Sequence, residues 1–429
     1  MQNTKQLSGI LIFISFLITI VSYFLYSELF IYSGIFAWLA LSLVFIKTSN
    51  KKLLIVLLIL SFLSFSYSFL NDFFIDYERA ILVNQYLLTL LIGVGFLRLI
   101  ATPKKEKVKK LPRGKESFLK TYLGIHLFGS VINLSSLILV ADKLYKKGPI
   151  SKLQIILLTR AFSSDAYWSP FFVAFAAALT YAPNLSTSTI LLTGLVLAFI
   201  AFLVTYFEVM NIKKYDIKEF RGYPIHFETL YLPFLLAIMV LFTNFYYPNL
   251  KVILLISFFS IVLTTFILPL KVGLKNTISK LNHHVTDELP KMKNEIALFL
   301  VAGMFGVSIS SILVGLNINL PFETFNGLTA SLLLLVLIIL SFVGIHPIIS
   351  IAIIGNWMNE LNHTLLAMTF LMSWSTAVST SPFSGLNLTM QARYKLNAID
   401  IFKINLPYVI RMYIVCIIVL FVVSDYLNL

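Results

Sequence analysis

The sequence predicts an all-α, polytopic membrane protein of roughly 10 to 12 transmembrane helices, organised as two inverted repeats. Composition is the first indication, since 59% of the 429 residues are hydrophobic and 12% are charged, with a mean hydropathy of +0.90. Soluble domains are nearer half apolar and a quarter charged. The second indication is that basic residues concentrate in short loops between apolar runs, which is the positive-inside pattern. The third is a polar, proline-containing interruption in each half of the chain.

Residues 1–100 are predicted to form transmembrane scaffold helices. Apolar runs at 7–26, 29–46, 53–70 and 80–100 each approach the twenty or so residues that a membrane span needs. Lysines separate the second and third runs, whereas acidic residues separate the third and fourth. Because basic loops stay on the cytoplasmic side, the N-terminus is expected in the cytoplasm.

A basic cytoplasmic loop at 101–120 precedes the first predicted repeat, 121–210. The first apolar run of this repeat, 121–141, has basic loops at both ends and a polar middle at 129–136. A re-entrant hairpin accounts for both features, because bare backbone at membrane depth is tolerated where it faces protein or water. An ordinary span with a few lysines on the wrong side is the alternative.

The interruption of the first repeat lies within the apolar segment 151–180. Pro170 removes a backbone donor and disfavours helix at Ser169, so this segment is predicted to form two half-helices. A closing span near 189–208 follows. Glu208 is expected at its solvated cytoplasmic end, without a role.

Scaffold helices and a polar cytoplasmic segment are predicted at 211–295, between the repeats. This segment contains His283 and His284, which as sequence neighbours point to different faces of a helix. We therefore expect a solvated loop or an amphipathic helix along the membrane, and no metal site.

The second predicted repeat, 296–429, contains a Gly- and Pro-interrupted piece at 344–360, which either re-enters or spans the membrane.

Both interruptions contain Ser-Pro-Phe, at 169–171 and 381–383. Corresponding interrupted segments in two halves indicate a transporter site, where unwound backbone and hydroxyl oxygens suit a monovalent cation and half-helix N-termini suit an anion. For each hydroxyl alone, helix packing or bonding to a preceding carbonyl is the alternative. The candidate substrate- and ion-binding residues are Asn133, Ser135, Arg160, Ser163, Ser164, Asp165, Ser169, His346, Asn356, Ser379, Thr380, Ser381, Ser384 and Asn387. The candidate ligands of Na⁺ among them are Ser163, Asp165, Thr380 and Ser381.

Two charged residues within the first interruption need an explanation, because burying either in hydrocarbon costs roughly 2.5 to 3.5 kcal/mol. Arg160 and Asp165 either neutralise one another, or Asp165 binds Na⁺ or a proton while Arg160 meets a substrate carboxylate. His346 is either a proton carrier or a hydrogen-bonded structural residue beside Pro347.

The chain resembles the ion transporter superfamily, which includes divalent anion/sodium symporters and citrate carriers. The resemblance is carried by residues 133–136, 163–170, 344–347 with Asn356, and 375–387. It implies that each repeat contributes a hairpin and a broken helix to a mobile domain. That domain would move in an elevator-like manner against a scaffold that often forms a homodimer.

The expected function is ion-coupled (Na⁺ or H⁺) secondary active transport of a small anionic solute across the cell membrane. No cofactor is expected beyond Na⁺ as the coupling ion, and the partners are the solute and the bilayer rather than nucleic acid. The alternative is a polytopic membrane enzyme of glycan assembly, of the polymerase or ligase type. Such enzymes usually need a sizeable external loop, and the sequence predicts none, so we expect a transporter and not an enzyme.

Overall fold

The computed structural model describes residues 2–49, 51–101, 111–211, 216–223, 231–358 and 360–429, and the statements below refer to these residues. Eight helical segments in this part of the chain are long and apolar enough to cross a membrane. They are Asn3–Phe24, Ser27–Lys47, Lys51–Leu70, Tyr77–Ile100, Thr187–Asn211, Val252–Val272, Leu274–Gly315 and Ala398–Tyr426. The protein is therefore an all-α, polytopic membrane protein, as predicted.

Nineteen α-helices are present in the described ranges, numbered here in chain order. They are α1 Gln2–Phe24, α2 Phe30–Val44, α3 Lys51–Leu70, α4 Tyr77–Leu82, α5 Gln85–Ala101, α6 Gly114–Ile132, α7 Leu134–Tyr145, α8 Lys152–Ser163, α9 Val173–Tyr181, α10 Thr187–Asn211, α11 Tyr231–Tyr246, α12 Val252–Val272, α13 Leu274–His283, α14 Lys293–Gly315, α15 Gly327–Phe342, α16 Pro347–Trp357, α17 His363–Thr380, α18 Gly385–Tyr394 and α19 Ala398–Tyr426.

The chain divides into two compact units. The first unit comprises Met1–Thr102, Leu232–Leu320 and Ile351–Asn359. The second unit comprises Pro103–Tyr231, Pro321–Ser350 and Glu360–Leu429. The sequence analysis assigned residues 296–320 to the second repeat. In the structure they belong to the first unit, because α14 packs against α3 and α4.

The first unit is held together by closely packed helix pairs, namely α1 with α2, α5 with α12 and α3 with α14. Small residues allow this approach: a Cβ atom on Gly93 of α5 would lie 2.9 Å from the Cα of Ser257 in α12. Polar side chains of this unit bind one another, and Gln85 Nε2 donates to Ser15 Oγ at 2.6 Å.

The polar segment that follows α12 is helical rather than a loop. It consists of α13 and a π-helical turn, His284–Glu288, that leads toward α14. Leu274 and Ile278 lie one turn apart on α13 and are 74% and 70% exposed. The amphipathic helix is therefore the correct alternative, while its position along the membrane stays a prediction.

The second unit contains two interrupted helices, and a long closing helix follows each of them. α10 follows α8 and α9, and α19 follows α17 and α18. α6 and α7 are separated at Asn133, inside the predicted polar middle of 121–141. α6 begins at Gly114, so the predicted basic loop is shorter than 101–120. On the first turns of α6, Glu116 and Lys120 form an i,i+4 ion pair of 2.6 Å. Whether the α6–α7 pair re-enters or spans the membrane stays a prediction.

Candidate functional site

The first interruption of the second unit is organised by Ser169, between α8 and α9. Its Oγ donates to the carbonyl oxygen of Ser130 in α6 and accepts a hydrogen bond from Phe171 N at 3.2 Å. Phe172 N donates to the Ser169 carbonyl at 3.1 Å. Because Pro170 has no N–H to continue the helix, this serine holds the non-helical turn in place.

The second interruption, between α17 and α18, is organised in the same way by Ser381. Its Oγ donates to the carbonyl oxygen of Ser341 in α15 at 2.6 Å and accepts from Phe383 N at 3.2 Å. Ser384 N donates to the Ser381 carbonyl at 3.1 Å. Each of these bonds has a counterpart at Ser169: the two bonds within the turn have the same chain offset, and the bond to the preceding helix spans 39 residues in the first turn and 40 in the second. The two Ser-Pro-Phe turns therefore share one hydrogen-bond pattern.

The two carbonyl acceptors also occupy equivalent places. Ser130 precedes Asn133 by three residues, and Ser341 precedes Gly344 by three residues. Asn133 has a φ of 51° and Gly344 a φ of 103°, a region that most side chains avoid and that Asn and Gly tolerate best. Both interrupted helices therefore attach to the end of a preceding helix, just before the chain turns.

Ser169→Ala and Ser381→Ala are expected to destabilise the protein by similar amounts, about 1–3 kcal/mol each, because each removes a hydroxyl that both bonds a carbonyl of a neighbouring helix and accepts a backbone N–H of the turn. SDS titration of the purified protein measures the free energy of unfolding. Ser331→Ala is the matched control, since the Ser331 hydroxyl bonds the Gly327 carbonyl within its own helix. A loss in only one of the two variants would contradict the equivalence of the turns.

Arg160 is fully buried and pairs with Glu208, not with Asp165. Its Nη1 lies 2.9 Å from Glu208 Oε2, its Nη2 lies 3.2 Å from Oε1, and its guanidinium stacks on the ring of Tyr408. Arg411 binds the same carboxylate at 2.7 Å. Of the two alternatives for Arg160 and Asp165, mutual neutralisation is wrong, because residues five apart project about 140° apart around a helix. Glu208 is 9% exposed, so its predicted solvated position is also wrong.

Asn405 of α19 completes this polar network and was not among the predicted residues. Its Oδ1 accepts from Arg160 Nε at 3.0 Å, and its Nδ2 donates to Thr159 Oγ1 at 3.0 Å and to the Ser379 carbonyl at 2.8 Å. It therefore joins α8, α17 and α19. The available sequence signal was an asparagine immediately before the last apolar run, 406–423.

Asp165 lies in the 3₁₀ turn after α8 and is fully buried. Its Oδ1 lies 2.7 Å from Nδ1 of His126, a residue of α6 that the sequence analysis did not select. The other ring nitrogen of His126 accepts from Trp168 Nε1 at 3.3 Å. A histidine inside the predicted hairpin run, opposite an aspartate in the next segment, was the signal that could have identified this pair.

The remaining predicted hydroxyls bond mainly within their own helices. Ser163, Ser164 and Ser379 each donate to the carbonyl three residues earlier, at 3.3, 3.0 and 3.1 Å, as in the packing alternative. Thr380 Oγ1 lies 3.0 Å from Ser379 Oγ. Ser375 Oγ donates to the Ser163 carbonyl at 2.8 Å, which joins the two interrupted helices directly.

Two predicted asparagines bind the Ser-Pro-Phe turns. Asn133 Nδ2 donates to the Phe171 carbonyl at 3.3 Å, and Asn387 Nδ2 donates to the Ser381 carbonyl at 2.9 Å. In both residues the buried Oδ1 accepts no hydrogen bond from the described part of the chain. These oxygens are available to a cation or to the donors of a solute. The side chain of Ser135 lies outside the described residues.

His346 lies with two predicted serines at one cavity of the second unit. Its Nδ1 accepts from Ile348 N at 3.3 Å, so it caps the start of α16, as the structural alternative requires. The cavity, of about 280 Å³ including the open space at its mouth, is lined by His346, Ser381 and Ser384 and lies at the N-terminus of α18. Three predicted residues are therefore brought together beside a helix N-terminus.

Asn356 is not part of this arrangement. It lies in the first unit, where its Oδ1 accepts from Arg79 Nη2 at 2.6 Å and its Nδ2 donates to the Ala352 carbonyl at 2.7 Å. Both polar ends of the amide are thus occupied within unit 1, and the role of Asn356 in binding a substrate or an ion stays a prediction.

The described ranges contain no group of three or more His, Cys, Asp or Glu side chains that could hold a metal ion. The Na⁺ site at Ser163, Asp165, Thr380 and Ser381 stays a prediction. No protein-family model matches the chain, and no curated protein matches it significantly. The resemblance to the ion transporter superfamily rests on the motifs alone.

Proposed function

We propose that the protein is an ion-coupled secondary active transporter that moves a small anionic solute with Na⁺ or H⁺. The observation that carries this proposal is the hydrogen-bond pattern shared by the turns at Ser169 and Ser381. Helices α6–α10 and α15–α19 follow one order, a helix pair, an interrupted helix and a closing helix, which supports two repeats. Transporters built from inverted repeats use such interrupted helices to form a site near the membrane midplane.

The cavity beside α18 supports an anionic solute. The first turn of a helix presents unpaired N–H groups and the positive end of the helix dipole, both of which attract an anion. Ser384 and Gly385 begin this helix and line the cavity.

The buried carboxylate of Asp165 supports coupling to a cation. A charged group at membrane depth is costly unless it is paired, and its binding of Na⁺ or a proton would change the charge of the second unit. The positive charge of Arg160 is already balanced by Glu208. Asp165 is therefore the acidic group of this unit best suited to hold a coupling ion.

The polar network of Arg160, Glu208 and Asn405 supports movement of the second unit as one body. It ties α8, α10, α17 and α19 together through buried hydrogen bonds. Breaking such bonds is costly, so alternating access by an elevator-like displacement of the whole unit is favoured over separation of these helices.

The test is electrogenic uptake by purified protein in proteoliposomes on a solid-supported membrane. Mono- and dicarboxylates and inorganic anions are applied under an imposed Na⁺ gradient or pH gradient. We expect at least one anion to give a current that requires one of the gradients. The double variant Ser169→Ala/Ser381→Ala should lower that current at least tenfold, whereas Ser331→Ala should retain it.

Two results would exclude this function. One is the absence of current with every anion under both gradients, from protein that elutes as a single species and has the helical content of the wild type. The other is full uptake by the double variant, which would show that the two turns do not build the transport site.

A further inference from the structure

The helix α13 of unit 1 follows directly on a candidate membrane span. α12 ends at Val272, and Gly273, with a φ of 80°, turns the chain out of that helix before α13 begins at Leu274. The helical segment from Leu274 to Gly315 has 42 residues, about twice what a span needs, and its last 23 residues are α14. α13 therefore lies between the ends of two spans, at the surface of the membrane.

Exposed apolar side chains continue from α12 onto α13. Phe266 and Leu270 of α12 are 70% and 87% exposed, and Leu274 and Ile278 of α13 are their equally exposed successors. Each of these residues follows the one before by four positions, about one helical turn. The apolar surface that the end of the span presents to lipid is thus extended by α13, which fits lipid rather than water.

Lysines flank this apolar stripe. Lys275 is exposed and projects about 60° from Ile278 around the helix, and the exposed Lys280 lies on the other side of the stripe. Thr277 is buried, and its hydroxyl donates to the Gly273 carbonyl at 2.9 Å. Lysine stems can lie along an apolar surface while their ammonium groups reach polar headgroups. An exposed apolar stripe with lysines beside it is typical of a helix that lies in the membrane interface.

The end of unit 1 that carries α13 is basic. Three contacts bring the ends of other helices to it, namely Lys5 with Asp287 at 3.0 Å, Lys271 with the Ile100 carbonyl at 2.8 Å and Ser49 with Asn294 at 2.9 Å. The lysines gathered there include Lys5, Lys47, Lys51, Lys52, Lys275 and Lys280. Such a cluster beside a membrane attracts anionic lipid headgroups.

The opposite ends of the same helices are acidic. Glu28 follows α1, Asp72 follows α3, and Asp76 caps the start of α4. Basic ends are retained on the cytoplasmic side of a membrane, where the leaflet carries anionic lipids. A second copy of this chain would bring the same positive charge to α13 and be repelled. Charge and position therefore favour lipid as the partner of this helix.

We propose that α13 is a binding site for anionic phospholipids. Leu274 and Ile278 enter the boundary between headgroups and acyl chains, while Lys275 and Lys280 bind the lipid phosphates through charge-assisted hydrogen bonds. This contact anchors unit 1 to the surface of the membrane, and it is independent of the proposed transport activity.

Spin labels on the full-length protein in lipid nanodiscs test the position of α13. Cys416 is buried, so a nitroxide reagent reacts with the cysteine that Ile278→Cys introduces. Asn276→Cys is the matched control, because Asn276 is exposed about 160° around the same helix. In nanodiscs of equal parts phosphatidylcholine and phosphatidylglycerol, we expect the Ile278→Cys label to be accessible to oxygen and shielded from a water-soluble nickel chelate. The Asn276→Cys label should show the reverse.

The lysines are tested in the labelled Ile278→Cys protein. Each lysine at an anionic surface strengthens binding by about fivefold, so Lys275→Gln/Lys280→Gln should lower the ratio of docked to undocked label by about 25-fold. In phosphatidylcholine alone the same substitutions should leave the ratio unchanged. Lys146→Gln/Lys403→Gln, which removes two exposed lysines of the second unit, should leave it unchanged in both lipid mixtures.

Three results would overturn this site. Equal access of the nickel chelate to the Ile278→Cys and Asn276→Cys labels would show that α13 does not lie in the membrane interface. A ratio that Lys275→Gln/Lys280→Gln leaves unchanged in the mixture with phosphatidylglycerol would exclude recognition of the anionic headgroup. Dipolar coupling between the Ile278→Cys labels of two protein molecules would assign this face to a second copy. The substituted side chains are all exposed, so circular dichroism should show the helical content of the wild type in every variant.

Discussion

Glu208→Ala is expected to lower the free energy of unfolding by about 3–5 kcal/mol, because it leaves a buried guanidinium without its counter-charge. Arg160 is fully buried, and both of its terminal nitrogens bind the Glu208 carboxylate. Tyr408 and Asn405 remain as neighbours, but neither carries a negative charge. SDS titration of the purified variant, followed by circular dichroism, measures the loss.

Arg411→Ala is the control for this prediction. Arg411 binds the same carboxylate, but its side chain is 46% exposed, so its removal should cost about 1 kcal/mol or less. The double variant Arg160→Met/Glu208→Leu removes both buried charges and should be more stable than Glu208→Ala alone. If Glu208→Ala and Arg411→Ala lowered the free energy of unfolding equally, the buried ion pair would contribute no more to stability than a surface ion pair.

Gly194→Ala is expected to cost about 1–3 kcal/mol, because the added methyl group has no space. Its Cβ atom would lie 2.2 Å from the Tyr167 carbonyl oxygen and 2.8 Å from the Trp168 Cβ. The carbonyl is backbone and cannot rotate away, so α10 and the turn that holds Asp165 must separate. We expect a lower free energy of unfolding, which SDS titration of the purified variant measures.

Gly95→Ala is the matched substitution in α5. Its Cβ atom would meet His284 at 3.6 Å, an ordinary contact distance, and alanine is favoured over glycine inside a helix by about 0.5–1 kcal/mol. Gly95→Ala should leave the free energy of unfolding unchanged or raise it slightly. If Gly194→Ala were equally neutral, α10 would not pack against the turn as closely as the distances indicate.

The sequence by itself determined the helical membrane class and the places where the helices break. Apolar length is a property of a single segment, so the first four spans follow from runs of about twenty residues. The missing N–H of Pro170 and Pro382 is equally local, and both interruptions lie where these prolines predict them. The candidate serines at these turns were identified for the same reason.

Only the tertiary structure decided which polar groups meet. Arg160 binds Glu208 at a separation of 48 residues and Asn405 at a separation of 245, and His126 reaches Asp165 from α6. Such pairs depend on which helices pack together and on the face that each one presents, which hydropathy does not specify. The assignment of 296–320 and Asn356 to the first unit has the same origin, because packing between helices rather than chain order defines a compact unit.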